Sequence, residues 1–356
     1  MKGIRLATFL LIFALTGCAG LPQPREMGDV ALLRAMGVDW TEEKLEMTVS
    51  TGPRADGNQA EGQGALVLSA RSDTFSSGAL SIRGQSDSSI SFGHVDQLLL
   101  GEELSRLGVR EVLDYFAKDG ELGLGAQLWV LQEQQAKTAV ESGDGRGIEG
   151  RLAALRTDGE RGLGPIPRTA GEVYADLLER GCAYVPALKL SEGENPRLEE
   201  GGYAILKGEK LVGYLEGDSA RGLELLVGGR MADVLEVPLG EETVTVQITG
   251  AAAASRLSRE RDTLALSCRV WAQLAEYRRL PEEGELEQLQ REIVRLEEEK
   301  VRLALAQLTA WQTDCLGLGA KAGILSPVKW SSVSENWSRY FGEQMPKIHL
   351  SVELTR

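Results

Sequence analysis

The sequence predicts an α+β fold of roughly two to three domains, with mixed sheets, packed helices and one long helix near the C-terminus. Three observations carry this. Short runs with apolar residues at every second position recur along the chain, as in half-buried strands. Residues 90–131 instead read strand–helix–strand, with Val109, Val112, Leu113 and Phe116 at one-face helical spacing between two apolar runs. Residues 284–314 are the one long amphipathic stretch, where Leu286, Leu289, Ile293 and Leu296 recur at heptad-like spacing among Glu and Arg.

The chain opens on MKGIRLATFLLIFALTGCAG. Lys2 and Arg5 precede an uncharged run from Leu6 to Leu15, far shorter than the roughly 20 residues a membrane-spanning helix needs. Positive charge, a short apolar core and small residues at its end make residues 1–17 a secretory leader. Cys18, directly after Gly17, stands where a bacterial lipobox places its lipidated cysteine. Cleavage is therefore expected between Gly17 and Cys18, with a diacylglycerol thioether on Cys18 holding the body to the extracytoplasmic face of a membrane. Two acyl chains make such an anchor stable.

The formal net charge is −14, from 39 basic and 53 acidic residues, and loss of Lys2 and Arg5 with the leader makes it more negative. Such a chain repels phosphate backbones and anionic headgroups. Nucleic acid is excluded as a partner, and membrane contact is expected from the lipid and not from a basic patch. Hydrophobic residues at 42% suit a globular body, and 42 glycines imply many turns.

Residues 18–29, with Pro22 and Pro24, form a lipidated tether, and an N-terminal α+β domain is expected over 30–140. Leu32–Val38 and Lys44–Ser50 pair as strands, and a short strand follows near Leu66–Leu68. Residues 72–89 are a loop or weak helix. Val95–Leu100 and Ala126–Leu131 are the strands of the strand–helix–strand unit, whose helix closes at Asp119-Gly120. Residues 141–200 form a Gly-rich connector and middle segment. The connector, 141–167, reads as mobile. Thr169 and Glu172 then have capping-box spacing for a helix through Val173, Leu177 and Leu178, stopped by Gly181.

A C-terminal α+β domain is expected over 201–356. It opens on a hairpin, Tyr203–Leu206 and Lys210–Leu215, around Lys207-Gly208-Glu209, followed by a helix through Leu223, Leu226 and Val227. Strands follow at Val234–Val237, Thr243–Thr249 and Thr263–Ala272. The long helix is expected to pack on the neighbouring sheet, in preference to the alternative of a coiled-coil arm, because its stripe lasts barely two heptads before Lys300 interrupts it. The chain closes on a strand alternating Ile348, Leu350 and Val352 against His349, Ser351 and Glu353. Cys268 belongs to an alternating strand and Cys315 to a helical stripe with Leu308 and Trp311, so both read as buried small hydrophobes. Whether two of Cys182, Cys268 and Cys315 are bridged is left open by the sequence.

Catalytic chemistry finds little support. The two histidines, His94 and His349, are remote from each other and from cysteines at ligand spacing, so no metal site and no cofactor are expected. There is neither a Gly-x-Ser-x-Gly elbow nor a phosphate-binding loop. Gly145 to Gly150 satisfies Gly-x-Gly-x-x-Gly but lies in the connector without a strand before it. Phe92-Gly93-His94, leading into an apolar strand, is the one short stretch singled out, as a structural turn or a partner contact.

Several segments, in order, resemble the Ger(x)C family, the lipoprotein C subunits of spore nutrient germinant receptors. They are the lipobox, Arg25-Glu26-Met27 and AMGVDW with its Gly-X-Asp turn, then FGHVDQLLLGEELSRLGVREVLDYFAKDGELG and VYADLLERGCAYVPALKL. GGYAILKGEKLVGYLEGDSARGLELLVGG, TDCLGLGAK and SENWSRYFGEQMPKIHLSVEL complete the series, with Asp314, Trp337, Phe341 and Pro346 at matching places. Ala19-Gly20 departs from the Trp-Asp pair frequent after the family's lipidated cysteine. The resemblance implies a non-catalytic, three-domain α+β subunit on the outer face of the inner spore membrane, working with a multi-pass A subunit and a transporter-like B subunit. The alternative, a solute-binding lipoprotein of an ABC importer, would show two similar α/β lobes.

Overall fold

The computed structural model describes residues 30–52, 64–143, 145–193, 196–240, 242–257, 263–343 and 346–355. Gly17 and Cys18, with the leader and tether, lie outside the described residues. The first sheet has the order β3-β2-β1-β5-β6-β7-β8-β9, with the short β4 (Ser89–Ser91) beside the start of β1. Its strands are β1 (Val30–Thr41), β2 (Lys44–Thr51), β3 (Val67–Ser72), β5 (Gln97–Leu100), β6 (Gln127–Leu131), β7 (Cys182–Leu190), β8 (Leu198–Lys207) and β9 (Lys210–Leu215). The pairs β1/β5, β5/β6 and β6/β7 are parallel, and the outer pairs are antiparallel. The strand–helix–strand unit is thus a crossover between parallel neighbours. Parallel strands are covered on both faces, which is why Leu98–Leu100 and Leu128–Leu131 are continuous apolar runs without alternation.

Helices α1 (Phe75–Arg83), α2 (Glu102–Leu107) and α3 (Arg110–Lys118) cover one face, where Ile82, Leu104, Val112 and Phe116 meet Met36, Val38, Leu98 and Leu128. Helices α4 (Ala136–Glu141) and α5 (Glu149–Glu160) cover the other, packing Ala139, Leu152 and Leu155 on Ala35, Leu99 and Trp129. The mobile-connector reading of 141–167 is therefore corrected. Ile148, Leu152 and Leu155 recur at i, i+4 and i+7 and are buried, so the stretch folds as a helix despite its glycines and charges. The Gly-x-Gly-x-x-Gly stretch does open this helix, but the element before it is α4, not a strand.

Helix α6 (Ala170–Arg180) begins and ends as its sequence specifies. The Thr169 hydroxyl accepts from Glu172 N, Glu172 accepts from Thr169 N, and Gly181 closes the helix at φ 67°. Val173 and Leu177 enter the core, whereas Leu178 points outward. The β8–β9 hairpin turns at Gly208, φ 63°, where glycine avoids the Cβ penalty. The boundary expected at 201 falls inside β8. Alternation sends Ala204 and Leu206 into the first core and Tyr203, Ile205 and Leu215 into the second, so this hairpin serves both.

The second sheet has the order β10-β11-β12-β13, from β10 (Gly229–Leu239), β11 (Glu242–Leu257), β12 (Leu264–Glu276) and β13 (Lys347–Thr355). The first pairs are antiparallel, and β13 lies parallel to β12 on the edge. Helix α7 (Gly217–Val227) packs against the long α8 (Glu283–Ala310) so closely that a Cβ on Gly222 would meet the Lys300 carbonyl oxygen at 2.0 Å. The buried stripe of α8 runs through Leu289, Ile293, Val301, Leu305 and Leu308. Lys300 does not interrupt it: the ammonium is buried with Glu297 and Asp233, at 2.8 and 2.9 Å. Past α8 come α9 (Leu318–Leu325), α10 (Pro327–Val333) and α11 (Trp337–Gly342). Because α8 ends at Ala310, Cys315 is not on its stripe, although it is fully buried. Cys182, Cys268 and Cys315 are buried free thiols.

Candidate functional site

The carboxyl ends of parallel strands are where an open α/β sheet presents its crevice. Here β1, β5 and β6 end around a cleft of about 530 Å³ lined by Asp39, Trp40, Glu102, Glu133 and Thr138, among others. Asp39 lies within β1, not in a turn as the Gly-X-Asp resemblance implied, and is almost fully buried. Its two oxygens accept from Ala136 N and Lys137 N, each at 2.8 Å, and so cap α4, whose own Gln135 makes no side-chain cap. A Cβ on Gly101 would meet Asp39 Oδ1 at 1.9 Å, so the close passage of β5 into α2 requires glycine. Across β1/β2, Glu46 faces Asp39 and is held by Lys137 Nζ at 2.9 Å and Arg71 Nε at 3.3 Å.

Glu102 gathers the next strand ends. It accepts from Glu133 N, from Arg106 Nε at 2.8 Å and from the Tyr214 hydroxyl at 3.0 Å. Burial raises its pKa, but these donors outweigh burial and hold it below the usual carboxylate value. Each inner carboxylate is thus already engaged in positioning α4, the β6 end or β9. Among the described residues no group of three or more His, Cys, Asp or Glu is arranged to hold a metal ion.

Burial pushes the Asp39 carboxyl up to about 6, against the pull of its two backbone donors. Between its ordinary 3.8 and about 6 the folded state holds a proton that the unfolded chain has released. By linkage, this contribution to stability is full below 3.8 and is lost as pH rises to about 6. The loss is about 3 kcal/mol at 1.36 kcal/mol per pKa unit. Asp39→Asn is expected to remove that slope. Urea unfolding of both proteins from pH 4 to 7 checks it; a constant difference between them across the range refutes the assignment.

Phe92-Gly93-His94 sits at the opposite, amino end of β5. The Phe92 ring is buried beneath the Arg83 guanidinium, 5.1 Å from its centroid, and Phe92 N donates to Glu121 Oε2 at 3.1 Å. Val95 N donates to Phe92 O to close the turn, while Gly93 and His94 are exposed. The stretch therefore does not join the cleft. The sequence does not single out Asp39 and Glu102, although Asp39 directly follows the Leu32–Val38 run and Glu102 stands two residues past Val95–Leu100, a signal that becomes meaningful once those strands are known to be parallel neighbours.

A second concave region, about 520 Å³, joins the first sheet to the C-terminal helices through Arg180, Cys182, Lys207, Asp314, Trp330 and Trp337. The Lys207 ammonium donates to the Trp311 carbonyl at 2.9 Å across this junction. Burial, with Asp314 nearby, pushes the Cys182 thiol up to about 12, and burial pushes Cys268 up to about 11. Thiols so raised are packing groups, not nucleophiles.

Comparisons with known proteins agree with this architecture. The family model "Spore germination protein N-terminal domain" matches residues 23–190, and "Spore germination B3/ GerAC like, C-terminal" matches residues 201–356. No curated protein matches the chain. The crystal structure of the GerBC protein superposes with a TM-score of 0.60 at 21% identity, covering 90% of this chain and 97% of that one. The likeness extends to the fold, mixed α+β with two unequal sheets. With its two family models matched in order over nearly its whole length, the chain belongs to the Ger(x)C family of germinant receptor C subunits.

Proposed function

We propose that this chain is a lipid-anchored, non-catalytic subunit of a spore nutrient germinant receptor, tethered through Cys18 and assembling with a multi-pass A subunit and a transporter-like B subunit. The observation that carries the reading is the ordered match of both family models from residue 23 to 356. The lipobox directly upstream supports the anchor, and no helix among the described residues is long and apolar enough to cross a membrane. The unequal sheets favour this reading over a solute-binding lipoprotein of an ABC importer, for which two similar lobes are expected. Confinement to a thin layer at the outer face of the inner spore membrane raises the effective concentration for integral partners, so modest contacts suffice for assembly.

Cys18→Ala is expected to release the protein from membranes or leave it unprocessed, and to impair nutrient germination more than folding of the body. Fractionation and mass spectrometry of the mature N-terminus check the first outcome. Spores lacking the protein should fail with one set of nutrients yet respond to a stimulus that bypasses receptors. An unmodified Cys18 in the wild type overturns the anchor. Normal responses of deletion spores to every nutrient, with no redundant receptor present, overturn the function.

A further inference from the structure

One end of the second sheet carries a basic and apolar tip on an otherwise acidic chain. Where β11 ends and β13 begins, a groove of about 730 Å³ opens toward the turn between α9 and α10. Arg256, Lys347 and His349 line its sheet wall, and Leu325, Val328 and Lys329 its helical wall; among the described residues no carboxylate lines it. On a chain with 53 acidic and 39 basic residues, that composition is a local reversal of charge.

The inner face of α9 explains the outer one. Gly319 and Gly323 lie beneath Trp337 and Trp330, where an added Cβ would stand 2.2 and 2.5 Å from ring atoms. Leu318 and Ala322 are buried on that same inner face, which leaves Lys321, Ile324 and Leu325 outward. Ile324, Leu325 and Val328 are 81%, 70% and 84% exposed, among the most exposed large apolar side chains of the described residues. Clustered exposure of this kind marks a contact surface, in contrast to scattered single residues.

We infer that this tip docks on an anionic lipid bilayer, with Ile324, Leu325 and Val328 entering the boundary between headgroups and acyl chains and Arg256, Lys321 and Lys347 at the level of the phosphates. Charge selects the occupant. Anionic headgroups attract the basic cluster, and screening beyond about 8 Å keeps the distant acidic surface from cancelling it. The inference rests on the Cys18 anchor for proximity: residues 18–29, fully extended, reach about 40 Å and keep the body within that distance of the membrane. Membrane contact then has a second component besides the lipid.

The test uses the lipidated full chain carrying Val328→Cys labelled with an environment-sensitive fluorophore. Cys182, Cys268 and Cys315 are buried, so the label selects position 328. Vesicles are made of phosphatidylcholine alone or with equal parts of phosphatidylglycerol. On the mixed vesicles, emission is expected to shift to the blue and to be quenched by brominated lipid. Both effects should be lost on phosphatidylcholine alone and after Lys321→Glu with Lys347→Glu. Water-like emission from a chain that floats with both vesicle types overturns the tip and leaves the anchor. Flotation of the Cys18→Ala chain on mixed vesicles, lost with Lys321→Glu and Lys347→Glu, supports the tip independently of the anchor; no flotation of the lipidated chain on either vesicle overturns both. A blue shift that appears only when integral membrane proteins are added makes the tip a protein interface and overturns the inference.

Discussion

Lys300→Met is expected to destabilise the fold by about 3–5 kcal/mol, because it strands a buried carboxylate. Glu297 is 1% exposed, and its Oε1 takes a hydrogen bond from Lys300 Nζ at 2.8 Å, while Asp233 takes another at 2.9 Å. Burial pulls the Lys300 pKa down, but Glu297 and Asp233 outweigh it and hold the ammonium above its ordinary value. Removing the cation leaves the Glu297 charge without compensation beneath the contact of α7 and α8. The double variant Glu297→Leu with Lys300→Met is expected to recover most of the loss, since a buried ion pair costs nearly as much to desolvate as it returns. Denaturant unfolding of the single and double variants decides it. A single variant within about 1 kcal/mol of wild type would place the group in solvent-like surroundings.

Asp314→Ala is expected to cost a similar amount, about 3–5 kcal/mol, for the complementary reason that it strands donors. The buried Asp314 carboxylate accepts from Leu318 N, Gly319 N and Trp337 Nε1, each at 2.8 Å. It caps α9 and fixes the indole that stacks over Gly319, so one side chain ties the loop after α8 to α9 and α11. Burial raises its pKa against the pull of those donors. Asp314→Asn has one acceptor oxygen for donors on both sides and is expected to fall between wild type and alanine. Unfolding free energy measures the loss, and near-ultraviolet circular dichroism reports whether the Trp330–Trp337 pair, centroids 5.1 Å apart, is released. Wild-type stability with an unchanged aromatic signal would refute the role.

Both clusters show where sequence reading stops. Asp314 was visible as a residue at a family-like place, but its three donors come from positions 318, 319 and 337, which only the folded chain brings together. Lys300 read as a break in an apolar stripe, because a charged residue is ordinarily solvated; its two carboxylate partners, one from β10, make burial tolerable. The same holds for Asp39, whose partners on α4 are nearly a hundred residues away. Helix α5 was hidden for a different reason. Its three apolar residues at correct spacing stand among glycines and charges that dominate the local composition.

What the sequence determined by itself were the features encoded within a few residues. The capping box and glycine stop of α6, the β8–β9 turn, the strand periods, the length of α8 and the order of segments that identifies the family all rest on local backbone chemistry. The tertiary structure alone decided strand order, the parallel crevice at Asp39 and Glu102, the hairpin shared by both cores, and the basic tip between β11, β13 and α9–α10. Those depend on contacts across tens to hundreds of residues. Local propensity sets which elements form, but burial and pairing between distant elements set where a charge comes to lie and what it faces.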